Sequence, residues 1–259
     1  MSAMRVLCEA RSDVGRKRKG NEDSLFLNPE QKLYVVADGM GGHAAGEVAS
    51  RVAVDAINEF VTLTGGNEEI TWPFGLDDSI SYEGNRLKTA VRHANRRVLE
   101  ATRESAEYEG MATTVAAVLV DGDTAHLAHV GDSRIYLWGD GEISQLTSDH
   151  SWVNEQIQSG VISPEQARNH PLRNVVTRAL GGRSDLVVDI QSRRMGPGDV
   201  LLLCSDGLTT MIADEDIARI IAQASGDVAR AATALVDEAN ERGGEDNITC
   251  IVVYLANEA

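Results

Sequence analysis

Apolar positions along the chain follow two rhythms. β-type runs, alternating or continuous, occur at "RVLCEA", "SLFL", "KLYVVADG", "TTVAAVLVDGD", "TAHLAHVGDS", "RIYLWGDGE", "DVLLLCSDG" and "NITCIVVYL". The middle runs form a meander, because Asp121-Gly122-Asp123, Gly131-Asp132 and Asp140-Gly141 are turn signals spaced about one short strand apart. Helical periodicity appears at 47–60, where Val48, Val52, Ala56 and Phe60 share a face, and at 85–105, where Leu87, Val91, Ala94 and Val98 do. It returns as a stripe of Ile217, Ile220, Ile221 and Ala224, then as a second of Val228, Ala232, Leu235 and Ala239 that stops at Gly243-Gly244. Helices grouped apart from runs of strands predict α+β with two mainly antiparallel sheets packed together and helices outside.

Two segments break the pattern. The stretch 62–84 is polar and interrupted by Pro73, and reads as a loop pinned by Trp72 and Phe74. The stretch 147–182 reads as a helical excursion between strands. One short helix starts at Ser151 and ends at Gly160; another starts at Ser163, with Pro164 in its first position and Gln166 completing a capping box. No repeat, low-complexity tract or linker divides the chain, so one domain over 1–259 is expected.

Composition narrows the function. With 42% hydrophobic residues the chain can bury a large core. No apolar run is long enough to span a membrane and the N-terminus lacks the features of a signal peptide, so a cytoplasmic protein is expected. Cys8, Cys204 and Cys250 sit in strand-like runs without paired spacing, which argues for inert thiols over disulfides or a zinc site. A net charge of -16 disfavours nucleic acid as the main partner and favours cations.

Carboxylates recur in one context, at the end or start of an apolar strand beside a glycine or turn: Glu22 and Asp23, Asp38, Asp206 and Asp246, with Asp132 of "HVGDSR" a sixth. Strand ends share a rim, so these groups can converge. An all-oxygen cluster suits hard divalent ions, and Gly39 frees a carbonyl to join it. Two such ions clamp a phosphoryl group and activate water, which is hydrolytic phosphoryl chemistry without a protein nucleophile. Asp121, Asp123 and Asp140 read as turn residues. His126 and His129 fall on opposite strand faces, which favours structural roles over shared ligation. "DGMGGHAAGE" matches neither a Walker loop nor a dinucleotide fingerprint. A phosphodiesterase or nuclease, suggested by "RKRK", and a catalytically silent binding module are the competing readings.

In order along the chain, "SDVGRKRKGNEDS", "VVADGMGGHAAGE", "MATTVAAVLV", "HVGDSRIYL", "TSDHSWVNEQIQSGVISPEQARNHPLRNVVTRALG", "LLLCSDGL" and "EDNITCIVV" resemble the PPM family, the type 2C metal-dependent Ser/Thr protein phosphatases, in its bacterial form. That resemblance implies an α-β-β-α sandwich and attack of a metal-bridging hydroxide on phosphoserine or phosphothreonine. It implies Mn2+ or Mg2+, two ions held tightly and a third more weakly. Asp38 would bridge two ions, Gly39 would add its carbonyl, Asp206 and Asp246 would complete the first ion's protein ligands, and Glu22 would serve the second. Asp23 would orient water, and Asp132 with Asp206 would hold the third ion. Arg18 would bind the substrate phosphate, and 147–182 would be the family's flap. By the same analogy the partners are phosphorylated proteins, a Ser/Thr kinase or its targets; no feature of the chain points to an oligomer, and a monomer is the default state. Animal members carry a histidine after Asp-Gly where this chain has Met40, which leaves His43 as the nearest candidate general acid. Ala112 stands where glycine is common.

Overall fold

The computed structural model describes residues 4–42, 45–66 and 72–257. Its elements are β1 (Met4–Asp13), β2 (Asp23–Asn28), β3 (Leu33–Met40), α1 (Ala45–Thr64), α2 (Tyr82–Ala101), β4 (Ala112–Thr113), β5 (Val115–Asp121), β6 (Thr124–Val130), β7 (Arg134–Gly139) and β8 (Glu142–Gln145). There follow α3 (Trp152–Gln158), α4 (Pro164–Arg168), β9 (Asp189–Arg194), β10 (Val200–Cys204), α5 (Asp206–Thr209), α6 (Asp214–Ala224), α7 (Val228–Glu241) and β11 (Ile248–Asn257). One sheet has the order β1-β11-β10-β7-β8. The other runs β2-β3-β5-β6-β9, with β4 paired to β3, and every pairing in both is antiparallel.

Strand alternation builds three apolar layers. Tyr34 and Val36 of β3, Leu201 and Leu203 of β10, and Ile251 and Val253 of β11 point between the sheets. Their neighbours point outward: Val35 and Ala37 to a layer shared with α1 and α2, Leu202, Cys204 and Cys250 to one shared with α6 and α7. Central strands are therefore apolar on both faces, which is why they read as continuous runs. Helices cover both outer faces, giving the α-β-β-α sandwich.

Details differ from the sequence pattern in three places. The inward stripe of α1 is Ala49, Ala53, Ile57 and Val61, all fully buried, while Val48, Val52 and Phe60 flank it half-buried. Alanines under a helix let it pack close to the sheet, but they carry little hydrophobic signal, so the larger flanking residues dominated the periodicity. The edge strand β9, "DIQSRR", is mostly exposed and lacks an apolar signature. The single turn of α5 lies inside what read as a strand-end loop.

The loop between α1 and α2 is shorter than 62–84, since α1 runs to Thr64 and α2 starts at Tyr82. Trp72 packs edge-on against Tyr82 at 5.3 Å, and Arg92 lies 5.3 Å over the Phe74 ring. The Ser163/Gln166 capping box is present on α4, with Pro164 in its first turn. Among the described residues, no helix is long and apolar enough to cross a membrane, and all three cysteines are free.

Candidate metal centre

Strand ends from both sheets meet at one edge of the sandwich. The β2–β3 register sets Asp23 opposite Asp38, and the Gly39 N–H donates to the Glu22 carbonyl at 3.1 Å. On the other sheet, Asp206 follows the end of β10, and Asp246 precedes the start of the adjacent β11. Asp132 lies in the turn from β6 to β7. The six carboxylates expected from the sequence form one connected cluster: Asp38 feels the charges of Asp23, Asp132, Asp206 and Asp246, and Glu22 feels that of Asp246.

Backbone clamps fix the two that face each other. The Asp38 N–H donates to Thr114 Oγ1 at 3.0 Å, while its carbonyl accepts from the Thr114 N–H at 2.9 Å and Thr113 Oγ1 at 2.8 Å. Ser205 Oγ donates to Asp23 Oδ2 at 2.7 Å. Close approach also depends on glycine. A Cβ on Gly39 would lie 2.1 Å from the Gly46 carbonyl oxygen, and one on Gly46 would lie 2.8 Å from the Glu22 carboxyl carbon. These two positions bring β3, the start of α1 and the Glu22 side chain together with no room for a side chain between them.

Burial drives the electrostatics. It pushes Asp23 and Asp132 each up to about 7, with the Asp206 charge adding to both. Asp38 is raised well above the ordinary carboxylate range, first by burial and then by the charges of Asp23, Asp206, Asp132 and Asp246. Asp206 is raised by burial and by Asp246, and Glu22 is raised chiefly by burial. Asp23 Oδ1 is buried with no hydrogen-bond partner among the described residues. A set of like charges, one buried and the rest half-buried, with an orphaned oxygen is costly on its own and fits hard divalent cations, which neutralise the charge and take up free lone pairs.

Arg18 supplies positive charge beside this edge. Its guanidinium donates to Asp246 Oδ2 at 2.7 Å and interacts with Glu22 and Asp38, leaving it half-exposed to solvent. Asn247 holds its loop: Oδ1 accepts from the Glu22 N–H at 2.8 Å, and Nδ2 donates to the carbonyls of Val14 and Gly20, each at 2.9 Å. Arg18, Lys19, Asn21, Glu22 and Glu47 line a shallow cleft of about 450 Å3. A larger cleft of about 700 Å3 runs from Asp132 and Asp206 between α3–α4 and the start of α6, passing Arg168, Arg173 and Asp214. The helical excursion therefore borders the carboxylate edge.

Several organising residues carried no sequence signal of their own. Thr114, Ser205 and Asn247 look like ordinary polar residues and act through bonds to segments distant in sequence. Their only trace was adjacency to the acidic motifs. Among the expected residues, His43 lies outside the described ones, while Met40 ends β3, half-buried. His126 and His129 do not converge: His126 Nδ1 bonds Ser81 and Ser192, whereas His129 packs against His150. Asp121 and Asp140 end in hairpin turns, the second with positive φ at Asp140 and Gly141, as expected for turn residues.

A two-sheet sandwich whose edge gathers desolvated carboxylates beside an arginine fits a metal-dependent hydrolase of phosphate esters. The chain belongs to the protein phosphatase 2C family, whose model matches residues 16–248. It is 38% identical over 252 residues to the serine/threonine phosphatase stp of Listeria monocytogenes, covering 95% of this chain and 94% of that one. It is also 38% identical over 243 residues to the serine/threonine protein phosphatase PstP of Mycobacterium tuberculosis, covering 94% of this chain and 44% of that longer one. The crystal structure of the Mycobacterium tuberculosis phosphatase PstP/Ppp superposes with a TM-score of 0.85 at 36% identity, covering 97% of this chain and 99% of that one. The PstP catalytic domain in complex with two manganese ions superposes with a TM-score of 0.83 at 34% identity, covering 98% of this chain and all of that one.

Proposed function

We infer that this chain is a divalent-metal-dependent protein phosphatase that hydrolyses phosphoserine and phosphothreonine esters. Family membership supports the reaction class. The observation that carries the reading onto these residues is the desolvated carboxylate edge with Arg18 placed over Asp246. Asp38 is proposed to lie between two ions, with the Gly39 carbonyl, Asp206 and Asp246 on one and Glu22 on the other. Asp132 with Asp206 would hold a third, weaker ion. Bound Mn2+ or Mg2+ would lower the pKa of water and neutralise charge on the phosphoryl group. Asp23, buried and accepting from Ser205 Oγ, would orient water at the site. Arg18 presents a planar fork to the phosphate oxygens. The substrates proposed are cytoplasmic phosphoproteins, in particular a Ser/Thr kinase or its targets, with the 147–182 segment acting as the flap that borders them.

A phosphothreonine peptide and an oligonucleotide, each incubated with Mn2+ or with chelator, test this. Peptide hydrolysis is expected only with Mn2+, and the oligonucleotide is expected to stay intact. Peptide turnover that persists in chelator, or cleavage of the oligonucleotide alone, would overturn the reading. Arg18→Ala is expected to lower kcat/KM on the peptide by roughly 100- to 1,000-fold, as loss of one donor to the developing charge should. Calorimetric Mn2+ titration of the same variant separates phosphate binding from metal binding, and there the tight sites are expected to remain.

A further inference from the structure

His150, at the base of the helical excursion, is tied to the turn that carries Asp132. The His150 N–H donates to the Gly131 carbonyl at 2.7 Å, and its ring Nδ1 accepts from the Gly131 N–H at 3.0 Å. One residue therefore takes both backbone groups of Gly131. Gly131 has φ +109 and a Cβ there would lie 2.6 Å from Thr114, so only glycine fits this turn as it is folded. From Ser133 a hydroxyl contact of 2.6 Å reaches Thr114, whose Oγ1 accepts from the Asp38 N–H. On the outer side, His150 Nε2 lies 3.1 Å from Asp189 Oδ2, and Asp189 Oδ1 accepts from Arg178 at 2.7 Å. The Thr177 N–H donates to the His150 carbonyl at 2.8 Å, closing the two stems of the excursion on each other.

The donor atoms of His129, His150 and Asp189 lie within 4.8 Å of one another, which raises the question of a separate metal site. The proton placement answers it. Because Nδ1 accepts from Gly131, neutral His150 carries its hydrogen on Nε2 and donates it to Asp189, so no ring lone pair is left for a metal.

We propose that His150 is a positioning residue which, through Nδ1, clamps the Gly131–Asp132 turn to the base of the flap and thereby couples flap placement to binding of the weaker ion at Asp132. The inference rests on the proposed role of Asp132. Holding a ligand-bearing turn from outside is what such outer partners do, and their loss typically weakens metal binding by 10- to 100-fold.

Two near-isosteric substitutions separate the two ring nitrogens. His150→Asn keeps an acceptor near Nδ1 and loses the donor to Asp189, whereas His150→Gln keeps a donor near Nε2 and loses the acceptor for Gly131. The weaker step of a Mn2+ titration, followed by EPR, is expected to weaken about tenfold in His150→Gln and to stay within about threefold of the parent in His150→Asn. Hydrogen exchange at 130–133 and 176–177 is expected to accelerate in the Gln variant alone. An Asn variant as damaged as Gln, or a Gln variant that matches the parent in both measurements, overturns the proposal. Asp132→Asn is the control. If it leaves the titration unchanged, the third-ion role of Asp132 falls, and the exchange measurement decides the clamp.

Discussion

Asp38→Asn is expected to abolish phosphopeptide hydrolysis, lowering kcat by on the order of 10^3 or more, and at the same time to raise the melting temperature of the metal-free protein. Both effects have one cause. Asp38 is half-buried and raised well above the ordinary carboxylate range by desolvation and by the charges of Asp23, Asp206, Asp132 and Asp246, so its charge is costly unless cations offset it. A neutral amide of the same shape removes that repulsion, while the clamp by Thr113 and Thr114 acts on the backbone and is untouched. Stabilisation of about 1–2 kcal/mol, read as a rise of roughly 2–8 °C, is typical of relieving strain held at a functional site. Differential scanning fluorimetry in chelator, beside a peptide assay in Mn2+, checks both halves. A variant that loses activity and also melts lower would mean that Asp38 acts mainly as a structural hydrogen-bonding group.

The stability half of this prediction was not visible in the sequence, although the residue was. Asp38, Asp206 and Asp246 announced themselves because each interrupts an apolar strand beside a glycine or turn, where a carboxylate needs a reason. Seven motifs in order then set fold and family together. Less legible were the parts whose meaning lies in distant contacts. Ser205 is a strand-end serine until Asp23 is seen 2.7 Å away, 182 residues earlier in the chain. Asn247 reads as one more polar residue after two acids, yet it holds Val14, Gly20 and Glu22 at once. Strand β9 leaves no trace in the pattern because an exposed edge needs no apolar face, and on α1 the pattern points to Val48, Val52 and Phe60, beside the buried stripe, because alanine buries closely while signalling weakly.

The run "RKRK" shows the same division. The family resemblance singles out Arg18, and among those four cations only its guanidinium lies on a carboxylate of the edge. Lys19 lines the neighbouring cleft. Arg16 contributes through its backbone, whose N–H donates to Gly244 at 2.7 Å, so part of that run serves the fold of the loop and not its charge.

Metal dependence of stability should follow pH with a defined sign. Asp23 and Asp132 are each pushed up to about 7 from the ordinary carboxylate value near 4, so between those limits the metal-free native state holds more protons than the unfolded chain. Stability of the chelated protein is therefore greatest below about pH 4 with respect to these groups and declines as pH rises through 7. His129 works in the opposite direction, because burial lowers it to about 4 and the native state resists its protonation as acid is added. The two trends overlap between pH 4 and 6.5 and partly cancel in any single curve. The difference between saturating Mn2+ and chelator isolates the carboxylates, since His129 contributes equally to both. That difference is expected to widen by on the order of 3 kcal/mol from pH 5 to 8, or roughly 6–12 °C in Tm, as cation binding favours the charged forms that burial opposes. A gap that stays constant across this range would mean that Mn2+ binds away from Asp23 and Asp132, and that their burial is relieved by protonation alone.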